Sequence, residues 1–135
     1  MNEVRRIKPN GFNVVSTFAG AGGSSLGYRM AGFKVLWVNE FVAAARDTYR
    51  VNAEDYTIIN STDIRELSPA TILSETKKEQ GEIDLLDGSP PCASFSMNGN
   101  RDDDWGKFKN YSDKGQRTDD LFFEFIRIVN EVRPK

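Results

Sequence analysis

The chain holds one cysteine, Cys92, set behind Pro90 and Pro91 after the apolar run IDLL. A lone cysteine is usually a small buried hydrophobe, and the rival reading is a sulfur nucleophile. The prolines favour the rival. Each fixes φ and removes a backbone donor, so the turn is stiff, cannot continue the preceding strand into a sheet, and holds the thiol outward. A second chemical feature is the cluster AGAGG after NVVSTF, where Gly20, Gly22 and Gly23 permit a tight turn and close approach of a ligand. Glu40 lies 20 residues beyond Gly20, the spacing at which a carboxylate can accept hydrogen bonds from ribose hydroxyls. A G-x-G-x-x-G dinucleotide signature would need glycine where the chain has Ser25, so the turn is a loose match. A dinucleotide site and a purely structural turn both stay open, and Glu40 alone could be a solvated carboxylate.

The elements that must position these groups alternate. Asn13–Phe18 is a β-branched and aromatic run that stops at the glycines, and Ser24 and Ser25 are N-cap candidates for a helix closed by Gly32. Lys34–Asn39 reads as a second strand and Val42–Asn52 as a second helix. Tyr56–Ile59 is a third strand, Pro69–Lys78 a helix broken by Gly81, and Ile83–Leu86 a fourth strand. A long polar loop follows from Gly88 to Arg117, then Asp119 and Asp120 as carboxylates suited to the N-terminus of the helix LFFEFIRIVNEV. Four strand–helix alternations predict a parallel sheet with right-handed crossovers. The glycine turn, Glu40, Asp63 and the Pro-Pro-Cys turn then all fall at carboxyl ends of strands and should line one rim.

In the last helix Leu121, Phe122, Phe125, Ile126, Ile128, Val129 and Val132 cover more than the ~100° stripe of a helix packed on one side. It is either a deeply buried core helix or one that packs between this sheet and further polypeptide.

Composition narrows the function classes. With 135 residues, about one domain is expected. No apolar stretch reaches the roughly 20 residues needed to cross a bilayer, and the polar start MNEVRRIKPN lacks a signal-peptide core, so an intracellular protein with no membrane partner is expected. One cysteine and no histidine disfavour a metal site. A net charge of −2 supplies no global basic field, so any nucleic-acid contact must be local or lie outside this stretch.

FAGAGG, NE, STDI and DGSPPCASFS, in that order and spacing, resemble the first motifs of the cytosine carbon-5 DNA methyltransferases, which use S-adenosylmethionine. The resemblance runs from about Asn13 to Lys135, with residues 1–12 as a lead-in. It implies a partial Rossmann-like α/β fold in three α/β/α layers with about four parallel strands. It also implies that Phe18, Ala19, Gly20, Ala21 and Gly23 surround the methionine part of the cofactor, and that Glu40 binds its ribose with Phe41 beside the adenine. Asp63 and Ile64 would read and flank the adenine, Pro91 and Leu121 would add contacts, and Cys92 would be the nucleophile. Ser96, Asn98 and Arg101 become candidate DNA contacts in a loop that closes over a flipped cytosine.

Ala93 stands where the family usually has glutamine, and Asp119 where a small residue is frequent. The family's later Glu-Asn-Val motif and its target-recognition domain do not occur in these residues. The expectation is therefore the N-terminal part of a catalytic domain, inactive alone, needing a complementary C-terminal segment or subunit and open to self-association through an unpaired sheet edge. An RNA-methylating relative and a non-catalytic nucleotide-binding module are the alternative readings.

Overall fold

The first four strands of the computed structural model are β1 (Asn13–Thr17), β2 (Lys34–Asn39), β3 (Ile58–Asn60) and β4 (Leu85–Gly88), and they form one parallel sheet in the order β3-β2-β1-β4. Residues 7–91, 109–110, 115–116 and 120–135 are described. Helices α1 (Gly23–Met30), α2 (Ala43–Asn52) and α3 (Pro69–Thr76) provide the crossovers. Two-residue strands β5 (Lys109–Asn110) and β6 (Gly115–Gln116) pair antiparallel inside the stretch read from sequence as loop, and α4 (Leu121–Val132) follows.

Alternation along the strands splits the core into two layers. Val14, Val35 and Val38 face Tyr49 of α2, whereas Val15 and Trp37 pack with Ile72 of α3 and with Leu121, Ile128 and Val132 of α4. The register steps from Val14↔Val35 to Val15↔Trp37, which leaves Leu36 as an extra residue. That bulge lets both Leu36 and Trp37 pack on the α3–α4 layer. Each fully buried Ile or Val there contributes about 1.5–3 kcal/mol.

Several expected boundaries move. The N-cap of α1 is Gly22 in the left-handed region, φ 99°, so Ser24 and Ser25 lie inside the helix and Ser25 Oγ accepts the Tyr49 hydroxyl at 2.9 Å. β3 and β4 sit about two residues further along than the apolar runs imply. α3 ends at Lys77, φ 55°, before Gly81 is reached. Asp120 occupies the N-cap of α4 without a capping bond from its side chain. On α4, Leu121, Ile128 and Val132 are buried while Phe122, Phe123 and Ile126 are exposed, so the apolar surface does extend beyond the face that meets the sheet.

Two consequences for stability can be checked directly. A Cβ added at Gly88 would press into the Phe125 ring and lie 2.7 Å from Thr17 Oγ1. Gly88→Ala is expected to cost about 1–3 kcal/mol by overpacking, read as a lowered thermal midpoint. The second concerns Asp84, whose carboxylate accepts Lys135 Nζ at 2.8 Å, Asn13 N at 2.9 Å and Asn13 Nδ2 at 2.6 Å. Lys135 first, and then the Asn13 amide, hold this carboxyl below the usual range. A lowered folded-state value means stability that is complete above the unfolded value of about 3.9 and lost as pH falls through the folded one. Thermal melts should show Asp84→Asn less stable than wild type at pH 7, with the gap closing as pH drops below about 4.

Candidate active site

The crossovers after β1 and β2 carry the chain to one side of β1, and β4 lies on the other, so the strand order reverses beside β1. Ligands of open α/β sheets bind in the crevice at such a point, outside the carboxyl ends of the strands. A cleft of about 180 Å³ opens there.

Its walls follow from how each strand ends. Phe18 leaves β1 with φ 54°, a left-handed conformation that costs a non-glycine residue about 1–3 kcal/mol. The strained exit leads into a turn in which Gly20 has φ 56° and Gly22 N–H donates to Ala19 O at 3.1 Å. Nothing lies within 4 Å of a Cβ built at Gly20, so glycine is needed there for its dihedral and not for space.

Glu40 ties this turn to the rest of the rim. It is 8% exposed, and its carboxylate accepts Gly20 N–H through Oε2 and Val42 N–H through Oε1, both at 2.7 Å. Its own N–H donates to Asn60 O at 3.0 Å, and Arg46 Nη1 donates to the carbonyls of Glu40 and Phe41 at 3.1 and 3.0 Å. One side chain therefore joins the exit of β1 to the start of α2, while its backbone reaches the end of β3. Asn39, just before it, donates through Nδ2 to Asn60 Oδ1 at 3.1 Å and Thr62 O at 2.9 Å. The loop after β3 then turns on Asp63, whose carbonyl accepts the N–H groups of Glu66 and Leu67.

Seven of the residues singled out from sequence line the cleft together: Phe18, Glu40, Phe41, Asp63, Ile64, Pro91 and Leu121. Ala19, Gly20, Ala21 and Gly23 are not in its lining; they build the turn behind Phe18 and the first residue of α1. Cys92, Ser96, Asn98 and Arg101 lie outside the described residues. Sequence reasoning missed Asn39, Val42 and Ser89, which also line the cleft. Asn39 and Ser89 had a readable signal, since each is adjacent to a strand end already assigned to the rim.

Among the described residues the lining combines two carboxylates, two phenyl rings, Asn39, Ser89 and aliphatic side chains, with no lysine or arginine. The Gly20 N–H, which in a phosphate-binding turn would face an anion, is already bonded to Glu40. These features disfavour a pyrophosphate and suit a ligand that offers hydroxyl or amino donors, a flat ring, and a positive charge. Among the described residues no group of three or more His, Cys, Asp or Glu could hold a metal ion, and no helix is long and apolar enough to cross a membrane.

Sheet, flanking helices and carboxyl-rim cleft define a Rossmann-like α/β fold. Within that class the chain belongs to the C-5 cytosine-specific DNA methylase family, whose model matches residues 12–135. It is 36% identical over 125 residues to the Type II methyltransferase M.AquIA of Picosynechococcus sp., covering 90% of this chain and 45% of that protein. It is 34% identical over 123 residues to M.DdeI of Desulfomicrobium norvegicum, covering 91% and 26%. The chain thus spans less than half the length of these relatives. Among solved structures it is similar to a prophage-encoded E. coli protein assigned as a DNA modification methyltransferase, with TM-score 0.67, 28% identity and coverage of 91% of this chain and 30% of that one. A mutant of Spodoptera frugiperda DNMT2 shares the fold, with TM-score 0.59, 20% identity and coverage of 90% and 32%.

Proposed function

We infer that this chain is the cofactor-binding and nucleophile-bearing part of a DNA (cytosine-5)-methyltransferase that draws its methyl group from S-adenosylmethionine. The observation that carries the reading is the cleft in which the carboxylates of Glu40 and Asp63 stand at neighbouring strand ends. A carboxylate oxygen has lone pairs to spare after accepting one N–H, so Glu40 can hold the turn and still accept from ribose hydroxyls. Asp63 accepts the adenine amino group, with Ile64 and Phe41 against the ring. Phe18 faces the methionine portion, backed by the turn Ala19, Gly20, Ala21 and Gly23, and Pro91 and Leu121 complete the wall. The Glu40 carboxylate complements a sulfonium, and the bound cofactor would supply an electrophilic methyl group.

Carbon 5 of cytosine is too weak a nucleophile to take that methyl unaided. The Cys92 thiolate would add to carbon 6, freeing the electrons of the carbon 5–carbon 6 double bond so that carbon 5 could take the methyl as its bond to the sulfonium breaks and a neutral thioether leaves. Loss of the carbon-5 proton to a base restores the double bond and expels the thiolate. A thiol suits this step because its anion forms near neutral pH, which a serine hydroxyl does not allow. Inside a duplex carbon 6 is out of reach, so the cytosine must be flipped out, and Ser96, Asn98 and Arg101 are the residues we assign to holding the DNA.

The Glu-Asn-Val motif of the family would polarise the cytosine ring, and it does not occur in these 135 residues. Labelled methyl transfer from S-adenosylmethionine to cytosine-containing duplex should stay at background with this chain alone. It should appear when a polypeptide carrying the later motifs is added. Transfer to RNA in preference to DNA, or no transfer in the reconstituted mixture, would overturn the reading.

A further inference from the structure

Just behind the cleft, Arg65 joins two of its walls. Its Nε and Nη2 donate to Asp120 Oδ2 and Oδ1, both at 2.8 Å, a paired geometry that a guanidinium makes and an ammonium cannot. Its Nη1 lies 3.3 Å from both oxygens of Asp63, and its backbone N–H donates to Asp63 Oδ1 at 3.0 Å. Asp120 directly precedes Leu121, and Asp63 directly precedes Ile64; Leu121 and Ile64 are each 3% exposed, in the same core layer. A second tie runs parallel to the first. Arg127 Nη2 donates to the carbonyls of Ile64 and Leu67 at 2.9 and 3.1 Å. Arg65 itself does not line the cleft, whereas Asp63, Ile64 and Leu121 do.

We propose that Arg65, clamped by Asp120, is a positioning residue that fixes the Asp63 carboxylate toward the base of the adenosyl ligand. The proposal rests on the cofactor reading above. The chemistry is that of a carboxylate which must be oriented to accept from an amino group. Arg65 holds it through Nη1 and the backbone N–H and, being held at its other end by Asp120, cannot swing away with it. The three side chains are 26–42% exposed, so solvent screens the bare attraction, and the value of the arrangement lies in the fixed geometry. The strong side-chain bond to Asp120 raises the Arg65 pKa above its ordinary value, consistent with a permanently charged clamp. Asp120 thereby acquires the role that its missing capping bond left open.

The test compares binding of S-adenosylhomocysteine with that of its hypoxanthine counterpart, S-inosylhomocysteine, to the full chain by calorimetry. Hypoxanthine presents a carbonyl where adenine presents an amino group, so a fixed Asp63 carboxylate repels it. Wild type should prefer the adenine ligand by at least tenfold. Arg65→Met should lose most of that preference, Arg65→Lys should recover part of it, and Asp120→Asn, nearly isosteric and remote from the base, should lower it in the same direction. A simple loss of stability would weaken both ligands alike and leave their ratio unchanged, and that result would overturn the proposal. Failure of wild type to bind the adenine ligand would overturn the cofactor reading itself, a separate outcome visible before any variant is made.

Discussion

Replacing Cys92 with alanine is expected to abolish methyl transfer in the reconstituted enzyme, a loss on the order of a thousandfold or more, since removing a covalent nucleophile leaves only binding and orientation. The same variant should fail to form a persistent adduct with duplex containing 5-fluorocytosine, in which fluorine replaces the proton that must leave. Wild-type protein should be trapped, with the added mass on the peptide that contains Cys92. Cys92→Ser should behave like the alanine variant at neutral pH, because the hydroxyl is not ionised there. Cofactor binding by both variants should be unaffected, which separates loss of chemistry from loss of the site. Retention of substantial transfer by Cys92→Ala would remove the covalent step from the account.

The second large effect is expected at Glu40. Its carboxylate is buried and accepts two backbone N–H groups at 2.7 Å, one from the glycine turn and one from the start of α2. Glu40→Ala removes both charge-assisted bonds and leaves the Gly20 and Val42 N–H groups without their acceptor, a cost of roughly 2–4 kcal/mol in stability. Because the same oxygens are assigned to ribose, affinity for S-adenosylhomocysteine should fall by roughly two orders of magnitude. Glu40→Gln should sit between, since an amide offers one acceptor oxygen in place of two. Denaturant unfolding and calorimetry on the same samples would resolve the two losses. A variant that is destabilised yet binds normally would confine Glu40 to a structural role.

The alternation of strands and helices was legible because Val, Ile and aromatic runs are punctuated by glycine or polar turns at short intervals. What moved were the boundaries that depend on dihedrals and partners. Ser24 and Ser25 looked like helix caps by residue type, but Gly22 at φ 99° caps the helix ahead of both, and Ser25 instead meets Tyr49 across the layer. Lys77 ends α3 in a left-handed conformation that no propensity favours. Asp120 had the right type and place for a cap, yet an arginine 55 residues earlier takes its carboxylate, a long-range pairing that local reading does not contain.

The site divides along the same line. Residues at strand ends were legible because parallel topology sends every carboxyl end to one rim, so Phe18, Glu40, Asp63 and Pro91 converge on the cleft. The glycine turn was read as touching the ligand, and its N–H at Gly20 proves to be bonded to Glu40. That exchange of partners depends on how β1 and β2 sit side by side, which spacing alone does not encode.

The measurement closest to the central claim is an amide NMR titration of the folded chain with S-adenosylmethionine, with NAD as the control. The account predicts saturable shifts at Gly20, Phe41, Ile64 and Leu121, around the cleft, and none with NAD. Absence of shifts with S-adenosylmethionine, or shifts confined to the opposite end of the sheet, would contradict it.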